Sequence, residues 1–143
     1  MQLQANVVWK DGLAFEANID GFHFTIDSDE QYGGKNLGPQ PKGLTLVSLA
    51  GCTAMDVVSI LRKMHVEMDY FEVATDGVTG NEHPKKFDEA VIKYIFKGKD
   101  LPLDKIKKAI NLSLERYCGV YATLQPAVKM THQIIINDQE VDG

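Results

Sequence analysis

The twelve residues Leu44–Met55 carry no charge, and they sit inside a longer run, Gly43–Met64 (GLTLVSLAGCTAMDVVSILRKM), that contains no proline. The run predicts a long helix. Its apolar residues (Leu44, Leu46, Val47, Leu49, Ala50, Ala54, Met55, Val57, Val58, Ile60 and Leu61) cover most faces of a 3.6-residue period. A helix that is apolar nearly all round must be covered nearly all round. A chain of 143 residues has little other surface to wrap around it. The expectation is that a second copy completes the cover, as a homodimer; burial within one chain is the plainer alternative. Arg62, Lys63 and His65 stand at the C-terminal end, where the helix dipole favours cations.

The remaining elements follow from alternation and turn chemistry. Gln2–Trp9 alternates Leu3, Ala5, Val7 and Trp9 on one face, and Lys10-Asp11-Gly12 is the expected turn into a second strand. Leu13–Ile19 and Phe22–Ile26 flank Asp20-Gly21, a two-residue hairpin signal. The chain thus opens as a three-stranded antiparallel meander. Ser28–Lys42 holds three glycines and two prolines and reads as a loop. Beyond the long helix, Asp69–Thr79 and Phe87–Lys97 read as two long strands, with Asp76-Gly77 a bulge in the first. Pro102–Tyr117 is an amphipathic helix, with Leu103, Ile106, Ile110, Leu114 and Tyr117 at spacings of three and four and Pro102 at its first position. Cys118-Gly119 ends it, Val120–Leu124 begins another short helix, and Ala127–Ile136 is the last strand. The order is βββ-α-ββ-α-β, a single α+β domain over residues 1–143, with an antiparallel sheet around a buried central helix.

Charge and cysteine usage exclude several functions. The chain has 15 Lys+Arg against 20 Asp+Glu, a net charge of −5, and only two arginines, Arg62 and Arg116. Such a field suits neither nucleic acid nor any other polyanion. The N-terminal MQLQANVVW lacks the basic start and apolar run of a signal peptide. No stretch of about 18 clean apolar residues is found, so no membrane span is expected. Cys52 and Cys118 are too few for a disulfide scaffold and fit a reducing cytoplasm. The histidines (His23, His65, His83 and His132) are scattered, so neither a metal site nor a cofactor is expected.

The remaining candidates are thiols. On the helical period, Ser48, Cys52, Asp56 and Ser59 form a polar stripe on an apolar helix. Such a stripe needs partners or lines a cavity. Cys52 is equally readable as a small buried hydrophobe, and Asp56 as a structural hydrogen-bonding group. A short helix starting after Cys118 would bring backbone N–H groups to its sulfur, a thiolate-stabilising arrangement. Glu115 and Arg116 just before it are possible supporting groups, or a helix-end pair of little energetic weight.

The run Gly38–Ile60 (GPQPKGLTLVSLAGCTAMDVVSI) resembles the central helix of the OsmC/Ohr family, which includes osmotically inducible protein C and the organic hydroperoxide resistance proteins. Tyr117–Leu124 (YCGVYATL) resembles that family's second cysteine motif, and the element order agrees along nearly the whole chain. Cys-Thr-Ala-Met-Asp-Val-Val-Ser-Ile-Leu is most similar to the OsmC-like branch. The resemblance implies an intertwined homodimer with its active sites at the subunit interface. It implies that Cys52 is a peroxidatic thiolate attacking an organic hydroperoxide, and that Cys118 is the resolving thiol. A dithiol reductant would close the cycle, in an antioxidant stress response. The hydroperoxide resistance members use an N-terminal arginine and a glutamate shortly before the central helix. Here no arginine precedes Arg62, and Gly43 stands about where the glutamate would. The alternative is a non-catalytic or weakly catalytic dimer that binds a small apolar molecule or senses redox state.

Overall fold

A computed structural model describes residues 1–142. They form two compact units, Met1–Thr45 and Leu46–Gly143.

The first unit is the expected antiparallel meander, in the order β1-β2-β3: β1 (Ala5–Asp11), β2 (Ala14–Ile19) and β3 (Phe22–Ile26). Asp20 (φ 53°) and Gly21 (φ 81°) make the tight turn that pairs Ile19 with Phe22. The first turn differs from expectation. β1 continues to Asp11, and the chain reverses at Gly12-Leu13, with Gly12 at φ 56° and its carbonyl accepting from Trp9 Nε1 at 2.9 Å. Glycine adopts a left-handed conformation without steric cost, so its position sets the turn.

The following loop contains one 3₁₀ turn, Glu30–Tyr32, and is organised by the buried Asp27. Asp27 Oδ1 accepts from the Ser28 N–H at 2.7 Å, and Oδ2 accepts from the N–H groups of Lys35 and Leu37 at 3.2 Å each. The Ser28 N–H foremost, opposed by burial and aided by the Leu37 and Lys35 N–H groups, holds this carboxyl below the usual range. Gly34 and Gly38 are glycines because a Cβ would strike the carbonyls of Ser28 and Thr25.

Helix α1 (Pro41–Lys63) starts two residues earlier than the sequence suggests. Leu49, Thr53, Val57 and Leu61 are buried as one i, i+4 stripe, and all are at most 1% exposed. Val47 (64%) and Met55 (76%) are exposed. The expectation of a buried central helix therefore holds for one face only within a single chain. No membrane span was expected, and the helix that comes nearest to one is a core helix. α1 is long and apolar enough to cross a membrane by length and composition, with a mean hydropathy of 1.9. Its buried stripe instead joins Ile92, Tyr94, Phe96, Ile106, Ala109, Ile110 and Ile134 in the core of the second unit. Each large apolar side chain buried there contributes about 1.5–3 kcal/mol.

The second sheet has the order β4-β5-β6-β7, with β4 (Tyr70–Thr79), β5 (Phe87–Lys97), β6 (Lys129–Ile136) and β7 (Gln139–Val141). There are thus two sheets, and this one is mixed rather than antiparallel, because β6 runs parallel to β5. The helical connection between them carries the chain back to the end where β5 began, which forces a parallel pair. β4 passes unbroken through Asp76-Gly77, and the register shift falls between Val78 and Thr79. Gly77 answers to packing rather than to a turn: a Cβ there would lie 2.6 Å from the Phe87 ring. β7 was not expected; Asn137 (φ 49°) and Asp138 (φ 68°) turn the chain into it.

The expected helix over Pro102–Tyr117 is divided. Pro102 caps α2 (Leu103–Leu112) from outside, a π turn follows over Ser113–Tyr117, and α3 (Gly119–Leu124) starts after Cys118.

Gly38→Ala is expected to lower the urea midpoint of the protein through the clash with Thr25. Gly43→Ala, whose Cβ meets nothing within 4 Å, should leave stability unchanged or raise it by up to about 1 kcal/mol. Equilibrium urea unfolding of the two variants checks both.

Candidate functional site

The π turn carries the geometry of the site. Its wider ring closes with the Cys118 N–H donating to the Ser113 carbonyl at 2.8 Å. Ser113 opens the turn and Cys118 follows it, so one local distortion sets both side chains relative to α1.

Cys118 is buried, with 3% exposure, and caps α3: its Sγ accepts from the Tyr121 N–H at 3.3 Å. The short helix and N–H contact expected from the sequence are therefore present. Their effect on the thiol is outweighed. Burial first, then a hydrogen bond to the Cys52 side chain, push the Cys118 thiol up to about 12 against the Tyr121 N–H, and the charges of Cys52 and Asp56 add to the rise. Cys118 thus holds its proton, and Cys52 stands beside it. Cys52 is half-buried on α1, and both cysteines are free thiols.

A buried chain of hydroxyls runs beside this pair. Tyr94 Oη lies 2.8 Å from Thr53 Oγ1, Thr53 Oγ1 lies 2.7 Å from Ser113 Oγ, and Ser113 Oγ donates to Asp56 Oδ2 at 2.8 Å. A carboxylate only accepts, so the direction is fixed throughout: Tyr94 donates to Thr53, Thr53 to Ser113, and Ser113 to Asp56. Tyr94, Thr53 and Ser113 are fully buried, and among the described residues no buried side-chain N or O lacks a partner. Burial raises the Tyr94 phenol, so it stays a donor at any ordinary pH.

Of the sequence candidates, the structure brings Cys52, Cys118 and Asp56 together. Ser48 and Ser59, at the ends of the polar stripe, are exposed. Glu115 and Arg116 are also exposed on the π turn, and the Arg116 guanidinium lies 5.8 Å over the Tyr117 ring. Neither is among the groups that act on the Cys118 thiol. His132 is half-buried on β6 and edge-on to Tyr94 at 6.0 Å, and burial lowers its imidazole. Among the described residues no group of His, Cys, Asp or Glu is placed to hold a metal ion. Sequence reasoning passed over Ser113 and Tyr94. Ser113 carried a signal: it stands three residues after Ile110 and seven after Ile106, a small polar residue on the apolar face of its helix.

An α+β fold with two sheets, one long core helix and a cysteine pair between that helix and the next defines a class. The chain matches the family described as OsmC-like protein over residues 33–133, and it belongs to that family. It is 35% identical over 130 residues to protein YhfA of Escherichia coli (strain K12), covering 91% of this chain and 95% of YhfA. The OsmC-like protein from Mycoplasma pneumoniae superposes with a TM-score of 0.80 at 16% identity, over 95% of this chain and 97% of that one. An organic hydroperoxide resistance protein from Elizabethkingia anophelis, with thiocyanate bound, stands further off, with a TM-score of 0.69 at 14% identity, over 96% and 97% of the two chains. These last two share the fold.

Thr53→Val keeps the shape of the side chain and removes the central hydroxyl, which orphans the Tyr94 phenol and the Ser113 hydroxyl. A loss of about 1–3 kcal/mol is expected. Ser48→Ala, on the exposed end of the same stripe, should stay within about 0.5 kcal/mol. Equilibrium urea denaturation checks the contrast.

Proposed function

We propose that this protein is a two-cysteine thiol redox enzyme that reduces organic hydroperoxides, working as a homodimer of one OsmC-like domain, residues 1–143, in the cytoplasm. The reading is carried by two free thiols that stand near enough for Cys52 to act on the Cys118 side chain. In the first step the Cys52 thiolate attacks the terminal oxygen of the hydroperoxide. The O–O bond breaks, the alkoxide takes a proton and leaves as an alcohol, and Cys52 becomes a sulfenic acid. In the second step Cys118 attacks the Cys52 sulfur, the S–O bond breaks, and hydroxide leaves as water with the proton released by Cys118. A dithiol then reduces the disulfide by exchange and is itself oxidised to a disulfide. No resident cofactor or metal takes part in this scheme.

Gly43, where the family resemblance would have a glutamate, favours a second reading: a weakly catalytic dimer that binds a small apolar molecule or senses redox state. A steady-state assay separates the two. Wild type with cumene hydroperoxide and a dithiol donor should consume peroxide, and Cys52→Ser should lower the rate to that of the uncatalysed mixture. Cys118→Ser should retain a single turnover and trap a sulfenic acid that dimedone labels. Absence of consumption by the wild type would leave the binding or sensing reading in place.

The dimer rests on the uncovered side of α1, where Val47 and Met55 are exposed and Ala54, Met55, Val58, Ser59, Arg62 and Lys63 line a groove of about 500 Å³. An apolar face of this kind is normally covered. Light scattering should give a mass twice the 15.9 kDa of one chain, and Met55→Arg, which places a charge in the seam, should shift the population toward the monomer.

A further inference from the structure

The hydroxyl chain ends at a residue that the two-cysteine scheme does not use. Asp56 stands one helical turn after Cys52 on α1, on the same face. Its Oδ2 accepts from Ser113, and Ser113 in turn holds the Cys118 N–H through its own carbonyl. One serine thus ties the carboxylate to the backbone of the second thiol. Three fully buried groups, Tyr94, Thr53 and Ser113, are spent on giving that carboxylate an oriented donor. An apolar side chain at position 56 would need none of this, because the chain of donors takes its direction from the acceptor oxygen on which it ends.

We propose that Asp56 is a positioning residue for the thiol pair: pinned by Ser113 at the end of the Tyr94–Thr53–Ser113 chain, its carboxylate stands beside Cys118 and adds to the burial that holds this thiol in reserve until Cys52 has been oxidised. This rests on the two-cysteine reading. Two negative charges close together in a buried site repel strongly, so an ionised Asp56 disfavours a thiolate at Cys118. The titratable groups facing Cys118 are Cys52 and Asp56 from α1, Tyr94 from β5 and Tyr121 from α3, with His132 of β6 edge-on to Tyr94. Glu115 and Arg116 on the π turn are exposed. Among these facing groups Asp56 is the one carboxyl. The Tyr121 N–H pulls the other way, toward the thiolate. Burial of the sulfur outweighs both, and Asp56 adds to it while the Tyr121 N–H opposes it.

The test uses the Cys52→Ser protein, in which Cys118 is the sole thiol and no disulfide forms. The rate of its alkylation by iodoacetamide is followed against pH. Adding Asp56→Asn should move the profile to lower pH by about one unit, so that labelling below the midpoint is about tenfold faster. A loosened structure would admit water to the buried sulfur and move the profile as well, so the comparison is made between variants whose urea midpoints match that of the parent. Asp56→Glu, which keeps the charge, should leave the profile near that of the parent. Should Asp56→Asn fail to fold, Ser113→Ala, which frees the carboxylate, should move the profile in the same direction. A profile that does not move in the folded Asp56→Asn protein, or that moves equally in Asp56→Glu, overturns the proposal. No peroxide enters the measurement, so its outcome is independent of whether the wild type proves to be a peroxidase.

Discussion

The Thr53 hydroxyl, buried between β5 and the π turn, is the contact on which the second unit depends. The stripe Leu49, Thr53, Val57 and Leu61 packs α1 into a core with Ile92, Tyr94 and Phe96 of β5 and Ile106, Ala109 and Ile110 of α2. Apolar packing alone would leave rotation and register of the helix loosely specified. A hydroxyl that must meet both Tyr94 and Ser113 at hydrogen-bond distance admits one register. That register presents Cys52 and Asp56 toward the end of α2. The site is therefore a consequence of how the core is keyed, and the polar chain serves both.

Cys118 illustrates two opposed effects and which of them wins. A sulfur at the N-terminus of a helix, accepting a backbone N–H, is an arrangement that favours a thiolate. Here α3 spans only Gly119–Leu124, and the sulfur is buried beside another thiol and a carboxylate. Burial dominates, and the thiol holds its proton. The two cysteines thus differ in setting: one stands half-buried on a long helix, the other is enclosed behind a π turn.

Much of the fold was legible in local chemistry. Asp20-Gly21 announced its hairpin because both residues adopt left-handed backbone conformations there. The same dipeptide at Asp76-Gly77 marked no turn or bulge, since Gly77 is required by the Phe87 ring from a neighbouring strand. The parallel pairing of β5 and β6 was hidden for the same reason. Strand direction depends on where α2 and α3 return the chain, which no local pattern encodes. Pro102–Tyr117 read as one helix because its apolar spacing persists through Ser113, whereas the change to a π turn reflects what Ser113 must reach.

By itself the sequence determined the class of this protein: an α+β chain of the OsmC-like family with a long apolar core helix and two thiols, each announced by composition, periodicity and motif. Those signals are local, because turns, helix faces and strand alternation depend on neighbours along the chain. Only the tertiary structure decided that Cys118 keeps its proton, which residues attend the pair, and that one side of α1 is left uncovered within a single chain. Burial, hydrogen-bond direction and the field of a carboxylate are properties of groups far apart in sequence. They come into existence when Thr53, Tyr94, Ser113 and Asp56 are brought within a hydrogen bond of one another.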